Sequence, residues 1–138
     1  MDRRFWLGLL AYVLPTFPIA YAWHLVIFGA RYEALEVYRD DMIIPFGLLS
    51  MLIQGAVYSW LYGKAFAPRA TSWMKSGLAF GALAGALAWT YMAVAVAAKH
   101  VMKSVPDFLL LESGFVALQF AIAGPLMGLA HRRDTAAA

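Results

Sequence analysis

Cysteine is missing from this chain altogether. That excludes disulfides, thiolate nucleophiles, Cys-ligated zinc and iron–sulfur clusters together, and it says nothing about compartment, because a small bundle needs no staples. Charge is sparse as well. Only 14% of the residues are Asp, Glu, Lys or Arg, so few side chains are available for acid–base chemistry. The glycine-rich phosphate loop, G-x-S-x-G, H-E-x-x-H and the Rossmann fingerprint are all missing, which removes the common soluble-enzyme signatures.

What the chain has in their place is apolar residue, 63% of the total against about half in a soluble domain. The excess sits in four blocks, at residues 5–28, 43–62, 73–98 and 108–129. Each is long enough to cross a hydrocarbon core of roughly 30 Å, which takes about 20 helical residues. Lipid admits spanning backbone only as helices or closed barrels, and blocks rich in Ala, Leu and Gly without strict alternation read as helices. The expected fold is an all-α membrane protein, four antiparallel transmembrane helices in a compact bundle, forming a single domain over 1–138. Pro15 and Pro18 predict a kink in the first helix, and Asp107 is placed to cap the fourth. The opening MDRR, the apolar run and Ala20-Tyr21-Ala22 imitate a cleavable secretory signal. The run continues to Phe28, however, and is read as a retained span.

A net charge of +3 would suggest nucleic acid in a soluble protein. Here the basic residues flank spans, where they orient helices and meet anionic headgroups, so the expected partner is the lipid bilayer and no nucleic acid. One side collects Arg3, Arg4, Lys64, Arg69, Lys75, Arg132 and Arg133; the other has Arg31, Arg39, Lys99 and Lys103. This asymmetry predicts a multi-pass protein with both termini cytoplasmic, as in a bacterial inner membrane. The tail from Arg132 onward is expected to be frayed.

Helices in lipid associate through close packing and hydrogen bonds, since the tails are as apolar as leucine. Two stripes of small residues fit that demand. Gly77, Gly81 and Gly85 recur every four residues in the third span, and Gly114, Ala117, Ala121, Gly124 and Gly128 follow helical spacing in the fourth. They predict packing of the third helix on the fourth, with a subunit interface in a homo-oligomer or larger membrane complex as the alternative.

Polar groups inside a membrane are costly unless partnered. Ser50, Gln54 and Tyr58 share one face of the second span, and Glu112 and Gln119 share a face of the fourth, opposite the small stripe. These predict a mid-membrane seam, held for instance by a Gln54–Gln119 hydrogen bond, with Thr16 and Thr90 at about the same depth. A second cluster falls at the outer end, where His24, His100 and Glu112 are expected to converge, with Tyr21, Asp40, Asp41, Met42 and Met102 nearby. Two imidazoles and a carboxylate suit a metal ion, and two histidines suit haem. Against that, the histidines sit in no ligand-spacing motif, and amphipathic rings are at home at a membrane interface.

Known small four-helix families do not carry over. Small multidrug exporters place an essential Glu in mid-first-span, where this chain has no acid, and quinone-coupled thiol oxidoreductases need cysteine pairs. The leading functional expectation is a non-catalytic accessory subunit or homo-oligomeric membrane module. A small-solute or ion transporter using the seam, and a metal- or haem-binding redox component at the outer face, are the alternatives.

Overall fold

A computed structural model of the chain describes residues 2–39 and 41–132. The described residues form helices and no strand. Four helical stretches are long and apolar enough to cross a membrane: Arg3–Ile27, Ile44–Arg69, Trp73–Lys99 and Val105–Ala130. The first comprises α1 (Arg3–Tyr21) and a π-helical turn, Ala22–Ile27; α2 (Gly29–Leu35) follows outside it. The second is α3 (Ile44–Leu61), a π turn (Tyr62–Phe66) and a 3₁₀ turn (Ala67–Arg69). The third is α4 (Trp73–Trp89), a π turn (Thr90–Val94) and α5 (Ala95–Lys99); the fourth is the unbroken α6 (Val105–Ala130). Asp2 and Arg132 border one groove, so both ends of the described chain lie at the same end of the bundle, here the terminal end. The opposite, distal end carries α2.

Each span begins on a side-chain cap or a proline. Asp2 accepts from the Phe5 amide at 3.0 Å and Ser72 from the Lys75 amide at 3.4 Å, satisfying amides that have no partner in the first turn. In the fourth span Ser104, not Asp107, is the cap. Its hydroxyl accepts from the Asp107 amide at 3.4 Å, while Asp107 lies inside the first turn, where its charge still opposes the positive helix end. The spacing S-x-x-D carried that signal. Pro15 and Pro18 are both accommodated within α1, and the wide turn begins further along, at Ala22.

The segment between the first two spans, which the apolar blocks leave unassigned, contains α2. Its last residue is followed by Glu36 in the left-handed conformation, φ 55°, which closes the helix with a Glu36 N–H to Glu33 O bond of 3.0 Å. Lys103 fastens this segment to the other distal loop, its amide donating to Leu35 O at 3.1 Å and its ammonium pairing with Glu36 at 2.6 Å.

The tightest packing is between α4 and α6, over their terminal-end halves. A Cβ on Gly77 would stand 2.6 Å from Gly124 O, and one on Gly81 2.6 Å from Phe120 O. A Cβ on Gly128 would strike Trp73 O. Only glycine lets the backbones come this close, which is what small residues contribute where no hydrophobic effect operates. The stripe on α6 does not serve one partner along its length: Gly114 faces the Trp23 ring, and Ala117 and Ala121 are exposed. α1 packs on α6 and on α3. Tyr58 of α3 and Tyr62 of the turn after it meet Phe80 of α4 edge-on at centroid distances of 5.9 and 5.2 Å, and Tyr58 meets Phe120 of α6 at 5.8 Å. The distal half of α3 is exposed from Ile44 to Ser50. The bundle is thus closed at the terminal end and parted between α3 and the third span at the distal end.

Candidate functional site

The parting forms a cavity of about 650 Å³, open at its side and bordered by α1, α3, α6 and the Thr90–Val94 turn. Both polar groupings read from the sequence line it, at two depths. At the floor are Thr16, Gln54 and Gln119; at the distal end are His24, Tyr38, His100 and Glu112. Its other walls are apolar, among them Phe17, Met51, Met92 and Phe115.

The floor is held by a residue that the spacing argument missed. Gln54 and Gln119 do not bond each other. The Tyr12 hydroxyl stands between them, donating to Gln54 Oε1 at 2.6 Å and accepting from Gln119 Nε2 at 2.8 Å. Gln54 Nε2 then donates to Ser50 Oγ at 3.0 Å, so the chain runs Gln119, Tyr12, Gln54, Ser50 across three helices. Tyr58 is not part of it; its hydroxyl lies 3.4 Å from that of Tyr91, and its ring lies edge-on to Tyr12 at 5.1 Å. Thr90 is exposed and bonds back to Leu87 O at 2.7 Å. Tyr12 escaped the sequence reading because an aromatic residue in a span reads as apolar filling. Its position four residues before Thr16 was the available signal.

Tyr12 is only 1% exposed, whereas Gln54 is partly exposed. Tyr12→Phe should therefore cost more than Gln54→Leu. It leaves buried Gln119 Nε2 and Gln54 Oε1 both unpartnered, at about 1–2 kcal/mol, while Gln54→Leu should cost about 1 kcal/mol, the size of intramembrane hydrogen bonds. Denaturant unfolding in mild detergent measures both, and the reverse order would remove Tyr12 from the centre of the network.

At the distal end Glu112, 4% exposed, is the focus. Its Oε1 accepts from the Tyr32 hydroxyl at 2.9 Å and the Tyr38 hydroxyl at 3.3 Å, and lies 3.3 Å from His24 Nε2. α2 and the left-handed turn at Glu36 bring the two tyrosine rings into a stack, 5.0 Å apart and 16° from parallel. Burial, and then the neighbouring Glu112 carboxylate, push both hydroxyls above the usual tyrosine range, so they remain protonated donors. His24 lies in the wide turn that ends the first span, and its Nδ1 is 3.0 Å from Ala20 O. A carbonyl only accepts, so Nδ1 carries its hydrogen. Nε2 and Glu112 Oε1 must then share a proton, because two lone pairs would otherwise face each other. No described residue donates to Glu112 Oε2, and Glu112 borders the cavity.

His100 lines the same cavity but does not join this cluster. Its ring is exposed, and its Nδ1 lies 3.2 Å from Val96 O of its own helix. Asp41 pairs with Arg39 at 2.8 Å, Met42 reaches the cavity, Met102 packs under α2, and Asp40 lies outside the described residues. Among the described residues no three His, Asp or Glu side chains come together as a metal-binding group. The expected trio is thus a pair, His24 and Glu112, with two tyrosines in place of the second histidine.

A second buried histidine lies at the terminal end and was not singled out from the sequence. His131 packs against Tyr62 with centroids 5.0 Å apart, its Nδ1 3.1 Å from Met127 O and its Nε2 3.4 Å from Ser59 Oγ. Burial pushes it below the ordinary histidine value. The Ser59 hydroxyl donates to Phe5 O at 2.7 Å, which ties α3 to α1 beside the histidine.

Two buried polar atoms of lining residues have no partner among the described residues: Thr16 Oγ1 and Gln119 Oε1. An orphaned buried polar group costs about 1–3 kcal/mol, so the floor holds two groups that a hydrogen-bond partner would stabilise. Beneath them Tyr12, Tyr58, Phe80 and Phe120 pack ring against ring, and no lining residue lies nearer the terminal end.

These features define the class: an all-α bundle with four candidate membrane spans and a blind cavity that is polar at its floor and its distal end. No protein-family model, curated protein or solved structure matches the chain.

Proposed function

We propose that the protein is a non-catalytic membrane module that binds a small amphiphilic molecule in the blind cavity between α1, α3, α6 and the third span. The observation that carries this reading is a cavity that is apolar between two polar ends, with the unpartnered Thr16 Oγ1 and Gln119 Oε1 at its floor and His24 and Glu112 at its distal end. A volume of about 650 Å³ suits a drug-sized molecule. Gln119 Oε1 and Glu112 Oε2 are acceptors, and Thr16 can donate or accept. The occupant is therefore a molecule with hydrogen-bond donors, an amine or alcohol, on an apolar body. Entry is sideways, between the exposed distal half of α3 and the rim formed by Tyr91 and His100.

The aromatic floor favours binding over conduction, because it seals the seam toward the terminal end. The seam remains the feature on which a transport reading would rest. A redox reading would need a third ligand beside His24 and Glu112.

Thr16→Val tests the binding reading cleanly, since the hydroxyl makes no hydrogen bond with any described residue and valine has nearly the same shape. Native mass spectrometry of the protein released from mild detergent should find a bound molecule in the wild type. Occupancy should fall by up to about tenfold in Thr16→Val, the effect of one lost hydrogen bond, with thermal stability unchanged or slightly raised. An empty wild-type protein, or equal occupancy in both, would refute the proposal.

A further inference from the structure

A second groove lies at the terminal end, on the outside of the bundle between α1 and α6. Its volume is also about 650 Å³, and it has a basic rim of Arg3, Arg4 and Arg132 over apolar walls that include Leu7, Ala11, Leu126 and Leu129. The three guanidinium groups form no ion pair with any described residue. Asp2, the carboxylate on this rim, is engaged as the cap of α1 through the Phe5 amide at 3.0 Å. Charge and apolar surface are layered in the order of a lipid: cations at the span ends, then leucines one to two turns into the span. We propose that this groove binds an anionic phospholipid, its phosphate held by Arg3, Arg4 and Arg132 and one acyl chain lying along Leu7, Ala11, Leu126 and Leu129.

The chemistry favours a phosphate ester for two reasons. Guanidinium groups form paired hydrogen bonds with phosphate oxygens that an ammonium cannot match. Basic pockets between spans at a membrane surface are also places where anionic headgroups collect. The apolar wall selects a lipid over free phosphate, because an inorganic ion would leave the leucine-lined part of the groove empty. The site lies outside the bundle at the end opposite the distal cluster, so it is independent of the cavity and of what that cavity holds.

The test uses the full chain in nanodiscs of phosphatidylcholine alone or with added phosphatidylglycerol, measuring lipid retained on the protein by native mass spectrometry. Phosphatidylglycerol should be retained in preference to phosphatidylcholine. The triple variant Arg3→Gln, Arg4→Gln, Arg132→Gln should lose about tenfold or more of that preference, as expected for a lost charge-assisted contact. Leu126→Trp, which fills the groove and keeps every charge, should lose it as well. The triple variant Lys64→Gln, Arg69→Gln, Lys75→Gln removes as many charges from that end of the bundle and should keep it. Equal loss in both triple variants would reduce the effect to general surface charge and overturn the site. Displacement of phosphatidylglycerol by millimolar inorganic phosphate would assign the groove to free phosphate instead of lipid, and no preference in the wild type would remove it. All six polar substitutions are at exposed side chains, so the folded protein is available for each arm.

Discussion

Gly124→Leu should prevent the bundle from assembling, while Gly47→Leu should leave it intact. Both replace a glycine inside a membrane-spanning helix by the same side chain, and in both leucine improves helix propensity by somewhat under about 1 kcal/mol. They differ in what the new Cβ meets. At Gly124 it would stand 2.6 Å from Gly77 O and 2.9 Å from Gly81 Cα, whereas at Gly47 nothing lies within 4 Å. Overpacking costs about 1–3 kcal/mol where neighbouring side chains can yield. Main chain cannot rotate away, so Gly124→Leu should reach or exceed the upper end, about 3 kcal/mol. No hydrophobic effect between helices compensates in lipid once α4 and α6 are pushed apart. Thermal unfolding in mild detergent, with size-exclusion to detect loss of the compact species, gives the readout. Matching curves for the two variants would mean that α4 and α6 do not meet through this seam.

Glu112→Leu should release the distal cap of the bundle, with an effect of similar size. The carboxylate oxygen is the common partner of Tyr32, Tyr38 and His24. Leucine fills its volume but leaves a buried tyrosine hydroxyl and an imidazole nitrogen with no acceptor. Removing one partner of a buried pair costs about 3–5 kcal/mol, because the remaining groups stay desolvated. The loss should be local first. α2 is held by Tyr32 and Leu35 in a small cluster with Phe108 and Leu111, separate from the main core, so it can detach while α4 and α6 remain packed. Hydrogen exchange should show faster exchange over residues 29–36 with little change in α6. Glu112→Gln keeps an acceptor for the tyrosines and should retain most of the protection. Unchanged exchange in Glu112→Leu would show that α2 is held by its apolar contacts alone.

The four spans were legible because length and apolar composition act locally and lipid leaves the backbone few alternatives. Their ends were legible to within a turn except at the second span, read to residue 62 where the helical stretch continues through a π and a 3₁₀ turn to Arg69, and the misassigned cap at Asp107 shows where local rules stop. Ser104 and Asp107 are both good cap residues, and which one occupies the non-helical position depends on where the preceding loop is pinned. α2 was missed for a related reason. Gly29–Leu35 is a seven-residue helix, too short to be stable alone, and it persists through Tyr32, Leu35 and the loop contact at Lys103.

The site was legible as a set of residue types but not as a set of partners. Helical spacing put Ser50 with Gln54 and Glu112 with Gln119, since that periodicity is fixed by 3.6 residues per turn. It could not say that a tyrosine from α1 would stand between the two glutamines, nor that His24 would turn toward Glu112 while His100 bonds its own helix. Those outcomes depend on the rotation of each helix about its axis and on the wide turns at Ala22–Ile27 and Thr90–Val94, and neither is written in local periodicity.

By itself, then, the sequence determined that the chain would form four lipid-compatible helices, which of their residues are small enough for close approach, and which polar groups would need partners inside the membrane. Tertiary structure decided the rest. It used Gly77, Gly81, Gly124 and Gly128 to join α4 to α6, and left Ala117 and Ala121 exposed. It parted α3 from the third span at the distal end to open a cavity, and gave the Glu112 carboxylate two tyrosines and a histidine from elements far apart in the chain. The division follows from range. Partition into lipid and helix formation are settled within a few turns of chain, whereas the partner of a buried polar group is chosen only when helices distant in sequence fix their depth and rotation against one another.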